Sequence, residues 1–423
     1  MLLSKRETSV QPARGSSNNP HLMLFAPWYY GHHATYLGHL IRYWQQHNLP
    51  GRLSIVVMPT FLEKHPDVVA IANACPNSRF VAMTAEEQVW LESAKSPVGN
   101  AMVQYQLLVR YATRLGATQG LLTHLDSIQV PLVLGKKLPC PFSGIYFRPT
   151  FHYTSFANYM PTRKERIQHL KERLFLFRLL THPQFKSLFC LDPLAIAPIN
   201  QRDPKQTKAV YLPDPIEFHC PPKDAVMNFR QQLGIEPERR AFLMFGSLAE
   251  GRKGTQQLLE SVFLLEPDLC QKLCLVLVGE AFPDRQRLLE TWLEPIRQSL
   301  PVQIVTRFGY VPEADVPLYF QVADGILAPY LRHAGMSGIL LQAASAGKPV
   351  LSSSYGLMGE LVQQYELGVA VDTTVPHELA QGLSRLLSQP FEQLCNVEQM
   401  RTLAKTNSPE QFAGTIFQTL YNS

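Results

Sequence analysis

No stretch of this chain approaches the ~18 uninterrupted apolar residues that a membrane-crossing helix needs, so any contact with a bilayer is made from the side. The first twenty residues, MLLSKRETSVQPARGSSNNP, lack the apolar core of a secretion signal and are expected to form a disordered tail. Cysteine supplies no metal site. Of the seven, only Cys270 and Cys274 lie close together, without CxxC or Cys/His spacing. The odd, scattered set reads as reduced thiols of a cytosolic protein. Asp-x-Asp, the usual carboxylate pair for a divalent cation, does not occur, and no metal or cofactor is expected. A net charge of +5 is too mild for a dedicated nucleic-acid binder, but it suits anionic ligands or an anionic membrane surface. There is no internal repeat of fixed period.

What is present is an ordinary globular composition, 46% hydrophobic and 17% charged, in 423 residues, too many for one compact core. Short apolar runs alternate with amphipathic helical segments, the pattern of parallel βαβ units. A first series runs through His21–Pro27, Leu53–Met58, Phe80–Met83, Leu121–His124, Phe142–Phe147, Phe189–Leu191 and Ala209–Leu212, with a helix over Thr35–His47. A second begins at Ala241–Gly246 and continues through Leu273–Gly279, Val302–Thr306, Gly325–Pro329, Pro349–Ser353 and Gly368–Val371. The prolines of Pro213-Asp-Pro-Ile-Glu-Phe-His-Cys-Pro-Pro222 block helix and ladder alike and mark a hinge. The expected division is therefore a tail (1–20), two Rossmann-like domains (21–215 and 216–404), and a closing helix (405–423) that can cross back to the first. Ligands of open α/β sheets bind at the carboxyl ends of the strands, which places the site in a central cleft between the domains.

The segment from Arg307 to Val362 holds the richest signal. Gly335, Met336, Ser337 and Gly338 open a helix through small residues, so its free N–H groups and dipole can press against a phosphate. Upstream stands Phe245-Gly-Ser-Leu-Ala-Glu-Gly-Arg-Lys-Gly254, then Leu277-Val-Gly-Glu280, Gly309-Tyr-Val311, Val322-Ala-Asp-Gly-Ile-Leu-Ala-Pro329, Gly347-Lys-Pro-Val350 and Gly356–Val362. These six motifs, in order over residues 241 to about 385, resemble the donor-binding domain of GT-B glycosyltransferases, most closely the retaining family four (glycosyl transferases group 1).

The resemblance implies an α/β GT-B fold of two Rossmann-like domains. It also implies a hexosyl transfer with retention from a nucleotide-diphosphate sugar, without an obligatory metal, to a saccharide or lipid-linked acceptor. It places Arg252 and Lys253 on the diphosphate, where planar and point-charge donors suit phosphate, with Ser247 at the family's usual arginine position. Val311, Gly335, Met336, Ser337, Gly338 and Gln342 complete the donor set. The family's paired glutamates read Ala334 and Gln342 here. Gln342 can still bond ribose hydroxyls, whereas Ala334 cannot contact a sugar, leaving His333 as its neighbouring stand-in. In the first domain the resemblance places Gly31, His32 and Arg148 on the acceptor, and His33, His124 and Asp126 near the reacting sugar. Each of these also has an ordinary reading as a helix cap, a solvated loop residue or a satisfied core group.

Residues 163–180, RKERIQHLKERLFLFRLL, form a basic amphipathic helix with Ile167, Leu170, Leu174 and Phe177 on one face. Two roles fit it: contact with an anionic membrane surface at the inner face of the membrane, or covering a sheet with its basic side in water. For the whole chain, an active transferase competes with a catalytically impaired nucleotide-binding accessory subunit, which the missing glutamates motivate, and with a nucleotide-sugar epimerase.

Overall fold

The computed structural model describes residues 20–157, 159–201, 208–217, 220–248, 250–280 and 283–422. The polar tail read from the sequence, Pro20 apart, lies outside them, as do Phe218 and His219 of the proline-rich segment and Ala249 of the loop before Lys253. Seven parallel strands build the first sheet: β1 (His21–Ala26), β2 (Arg52–Val57), β3 (Ser78–Ala82), β4 (Gln119–Leu122), β5 (Phe142–Tyr146), β6 (Phe185–Cys190) and β7 (Lys208–Tyr211). Their order is β3-β2-β1-β4-β5-β6-β7, with Leu24 of β1 between Ile55 of β2 and Leu121 of β4. The second sheet holds β8 (Arg240–Phe245), β9 (Leu273–Gly279), β10 (Gln303–Phe308), β11 (Gly325–Ala328), β12 (Val350–Ser353) and β13 (Gly368–Val371), in the order β10-β9-β8-β11-β12-β13. Every residue of β9 is buried because helices cover both faces, which is why LCLVLVG shows no alternation.

Each sheet reverses its strand order once, between β1 and β4 and between β8 and β11. At such a switch point the loops diverge and leave a crevice at the carboxyl ends. The last helix, Pro409–Tyr421, packs on the first domain: the Phe417 ring lies 5.7 Å from Tyr43, and Tyr421 donates to the Pro50 carbonyl at 2.6 Å. The two segments that run between the domains are tied together at buried Asn407. Its carbonyl accepts from the Ile216 N–H at 2.7 Å and its Oδ1 from the Asp214 N–H at 2.9 Å.

Helix Arg163–Leu180 starts from a capping box in which Thr162 and Glu165 satisfy each other's backbone N–H groups. It covers the first sheet with Leu176, Leu179 and Leu180, not with the stripe that stands out in the sequence. Ile167, Leu170, Leu174 and Phe177 remain 56%, 66%, 56% and 57% exposed. The reason is the placement of its two carboxylates. Glu165 faces Arg332 and Tyr355 of the second domain, and Glu172 accepts from Tyr146 and Thr150, so these partners fix the acidic side inward. No helix of the described residues is long and apolar enough to cross a membrane.

Candidate functional site

A cleft of about 710 Å³ lies between the carboxyl ends of the two sheets. On the second-domain side, β11 leads through a loop to helix Gly338–Ala346. Ser337 stands at its N-cap position but makes no capping bond; its hydroxyl turns instead to Tyr330 Oη at 3.4 Å. The first turn therefore has no side-chain acceptor for its N–H groups among the described residues, and Gly335, Met336 and Gly338 line the cleft. Gly335 has φ +93°, and its N–H donates to Tyr153 Oη at 2.9 Å. A Cβ there would lie 3.2 Å from the Phe147 carbonyl oxygen, so the two domains meet at a residue without a side chain.

Arg252 and Lys253, adjacent in sequence, are sorted by the turn Gly251–Lys253 into different surroundings. Arg252 reaches the cleft, where Nε donates to Glu250 at 2.6 Å and a terminal nitrogen sits 3.5 Å from His333 Nδ1. Lys253 is buried beneath it: its ammonium donates to Tyr330 Oη and lies 4.3 Å above the Tyr330 ring. The turn is pinned by the Leu331 N–H, which donates to the Arg252 carbonyl at 2.8 Å. Burial pushes His333 down to about 4, so it faces Arg252 as a neutral acceptor. Ala334 and Gln342 both line the cleft. Ser247 and Val311 do not appear in its wall; Val311 packs against the second-domain core.

On the first-domain side, Gly31 (φ +66°) turns the chain from β1 into helix His33–Gln46. His32 lines the cleft, its ring 4.7 Å from Phe147, whereas His33 is buried behind it, 5.7 Å from His124. His124 and Arg148 line the cleft as well. His124 Nδ1 is itself enclosed and has no hydrogen-bond partner among the described residues. Asp126 does not face the cleft. Its carboxylate accepts the Phe147 N–H at 2.9 Å, which fixes the chain leaving β5 and positions Arg148. Burial lowers the His124 pKa and raises that of Asp126, favouring the neutral pair.

A second pocket of about 430 Å³ shares His124 and Arg148 with the cleft and adds Asp126, Lys171, Glu172 and Phe175. Sequence reasoning did not single out Tyr36, Asp214 or Glu313. Tyr36 donates to Asp214, whose carboxyl burial pushes up to about 6. Thr35 donates across the cleft to Glu313 at 2.9 Å. Asp214 had a signal, an acid locked between Pro213 and Pro215; Glu313 had none, because its partner is 278 positions away.

Two buried histidines give the site's domain a pH dependence of stability. Burial, with neighbouring His32 and His124, pushes His33 down to about 2; burial, opposed by Glu217, pushes His39 down to about 4. The unfolded chain protonates both near 6.5, so below that pH it binds more protons than the fold does, and stability falls as pH falls. Each group contributes at most about 1.4 kcal/mol per pH unit. We expect His33→Gln to flatten the dependence of unfolding free energy measured by urea titration between about pH 7 and about pH 5. A slope equal to the parent's would remove His33 from this account.

Residues 239–389 match the family model described as Glycosyl transferases group 1. A Methanocaldococcus jannaschii protein described as an uncharacterized glycosyltransferase is 26% identical over 163 residues, 38% of this chain and 39% of its own length. The match thus spans well under two thirds of that relative. Among solved structures, Anabaena HepE in complex with UDP aligns with a TM-score of 0.67 at 15% identity, covering 96% of this chain and 100% of that one. Sucrose-phosphate synthase from Thermosynechococcus elongatus aligns with a TM-score of 0.67 at 16% identity, covering 95% and 99%. At such identities the likeness is one of fold. The second domain is thus matched by the group 1 glycosyltransferase model, and the chain as a whole has the two-domain GT-B fold of the glycosyltransferases.

Proposed function

We propose that this protein transfers a hexosyl group, with retention, from a nucleotide-diphosphate sugar to a saccharide or lipid-linked acceptor, without a metal or other cofactor. The observation that carries the reading is the uncapped start of helix Gly338–Ala346, which opens with Arg252 on one cleft. Such a helix end and a guanidinium together stabilise the negative charge that develops on a departing diphosphate. HepE has been solved with UDP and with UDP and glucose, which supports a donor of this class here.

In this reading the bond between the anomeric carbon and the diphosphate oxygen breaks as the acceptor hydroxyl oxygen bonds to the same face. The hydroxyl proton leaves with the phosphate. Arg252 and the N–H groups of Met336 and Gly338 hold the diphosphate beside Gly335, whose own N–H is taken by Tyr153, and Gln342 holds the ribose. Lys253, Ser337, Ser247 and Val311 shape the loops behind them. His124, which lines the cleft, contacts the reacting sugar; His33 and Asp126 act behind it as positioning residues. The acceptor lies along Gly31, His32 and Arg148 and extends into the second pocket. The protein works in the cytoplasm, peripheral to the inner face of a membrane.

Ala334 favours a second reading, a nucleotide-binding accessory subunit, because a methyl group offers no hydrogen bond to the sugar. Incubation with UDP-, GDP- and ADP-sugars plus saccharide and lipid extracts separates the two. Release of nucleotide coupled to a glycosylated product is expected. Saturable nucleotide binding with no product would replace the transferase with the accessory subunit, and absence of nucleotide binding would overturn both.

A further inference from the structure

We infer that the outer face of helix Arg163–Leu180 is a docking surface for an anionic lipid bilayer. The exposed side chains of Ile167, Leu170, Leu174 and Phe177 fall within about 80° of arc at 100° per residue, a continuous apolar stripe along the helix. Five exposed cations accompany it: Arg163, Lys164, Arg166, Lys171 and Arg178. By the same rotation Arg166 flanks one side of the stripe, and Lys164, Lys171 and Arg178 flank the other. None of the five forms an ion pair with a carboxylate among the described residues.

The helix has only two acids, and both are consumed inside the protein. Glu165 is held by Arg332 at 2.8 Å and by Tyr355 at 2.8 Å; Glu172 is held by the Thr150 N–H at 2.9 Å and the Thr150 hydroxyl at 2.7 Å. What faces outward is apolar and cationic, with no acid. This is the sorting that an interfacial helix requires: apolar groups enter the acyl boundary while long basic side chains reach the headgroups. Exposed Leu134, followed by Lys136 and Lys137, extends the surface beyond the helix end, where the Lys136 carbonyl lies 3.2 Å from His182 Nε2.

Charge complementarity selects the occupant. A second copy of the chain would set like charges opposite each other around the stripe, whereas an anionic bilayer meets all five cations at once. The surface also has a consequence for access, since the second pocket takes Lys171, Glu172 and Phe175 from this helix. That pocket opens beside the docked face, within reach of a headgroup or a lipid-linked sugar.

The test is vesicle flotation of the full chain. Binding to mixed phosphatidylcholine–phosphatidylglycerol vesicles is expected to exceed binding to phosphatidylcholine alone by about tenfold or more. It should weaken as salt rises from ~0.1 M to ~1 M, where the screening length falls from ~10 Å to ~3 Å. The double substitution Leu170→Ser with Leu174→Ser removes apolar groups that already face water, so the fold persists. It should lower vesicle binding about tenfold while UDP affinity stays at the parent value. Lys164→Glu with Arg166→Glu should do the same on anionic vesicles only. Equal binding to neutral and anionic vesicles, or unchanged flotation of both variants, would overturn the proposal. So would a stable dimer in light scattering that becomes monomeric in Leu170→Ser with Leu174→Ser, since the stripe would then be a contact between copies. Because UDP affinity is read separately, failure here is distinct from failure of the donor site.

Discussion

Gly254→Ala is expected to destabilise the protein by about 3–5 kcal/mol, the range reserved for substitutions with a specific steric cause. Gly254 has φ +70°, and a Cβ built on it would lie 1.9 Å from the Pro329 carbonyl oxygen. Both the left-handed backbone and the overlap count against any side chain. The displaced group matters because the Pro329–Leu331 segment after β11 carries Tyr330, the partner of Lys253, and the N–H of Leu331 that holds Arg252. The damage should therefore reach the cleft: nucleotide binding falls together with the urea midpoint. Gly251→Ala, three residues earlier, is the matched control. Nothing lies within 4 Å of its added Cβ and its φ is not positive, so it should stay within about 0.5 kcal/mol of the parent. Equal midpoints for the two variants would show that the turn accommodates a side chain and would refute this account.

Arg252→Ala should weaken binding of UDP or GDP by about 10- to 100-fold, the worth of a charge-assisted hydrogen bond of about 1.5–3 kcal/mol. Its stability should change little, because the Arg252 side chain is 52% exposed and its pair with Glu250 lies at the surface. Lys253→Ala should show the opposite balance. Its ammonium is enclosed over the Tyr330 ring, so truncation leaves a cavity and an unpartnered hydroxyl and lowers the melting temperature. Calorimetric titration alongside thermal unfolding separates the effects. If Arg252→Ala binds UDP as the parent does, the diphosphate is held elsewhere in the cleft.

The strands were legible because helices bury parallel sheets on both faces, so LCLVLVG and HLMLFA read as unbroken apolar runs. The glycine positions carried information for a different physical reason: Gly254 and Gly335 occupy backbone conformations that side chains strain. The site was legible only in part. Arg252 and Lys253 are equivalent in a sequence, as are His32 and His33, yet one of each pair lines the cleft and the other is enclosed. A one-residue step around a turn or helix changes direction by about 100°, and which direction meets water depends on distant neighbours. The bridge from Thr35 to Glu313 and the lock of Tyr36 on Asp214 join residues whose sequence separation hides them entirely.

By itself, then, the sequence determined two parallel α/β domains, a proline-rich crossing and a small-residue helix start suited to phosphate, since local patterning and backbone freedom are written residue by residue. The tertiary structure alone decided which basic residue lines the cleft, and that the apolar stripe of helix Arg163–Leu180 faces outward. It did so because Glu165 and Glu172 found their partners inside, and a helix has only one rotation with which to satisfy its buried charges.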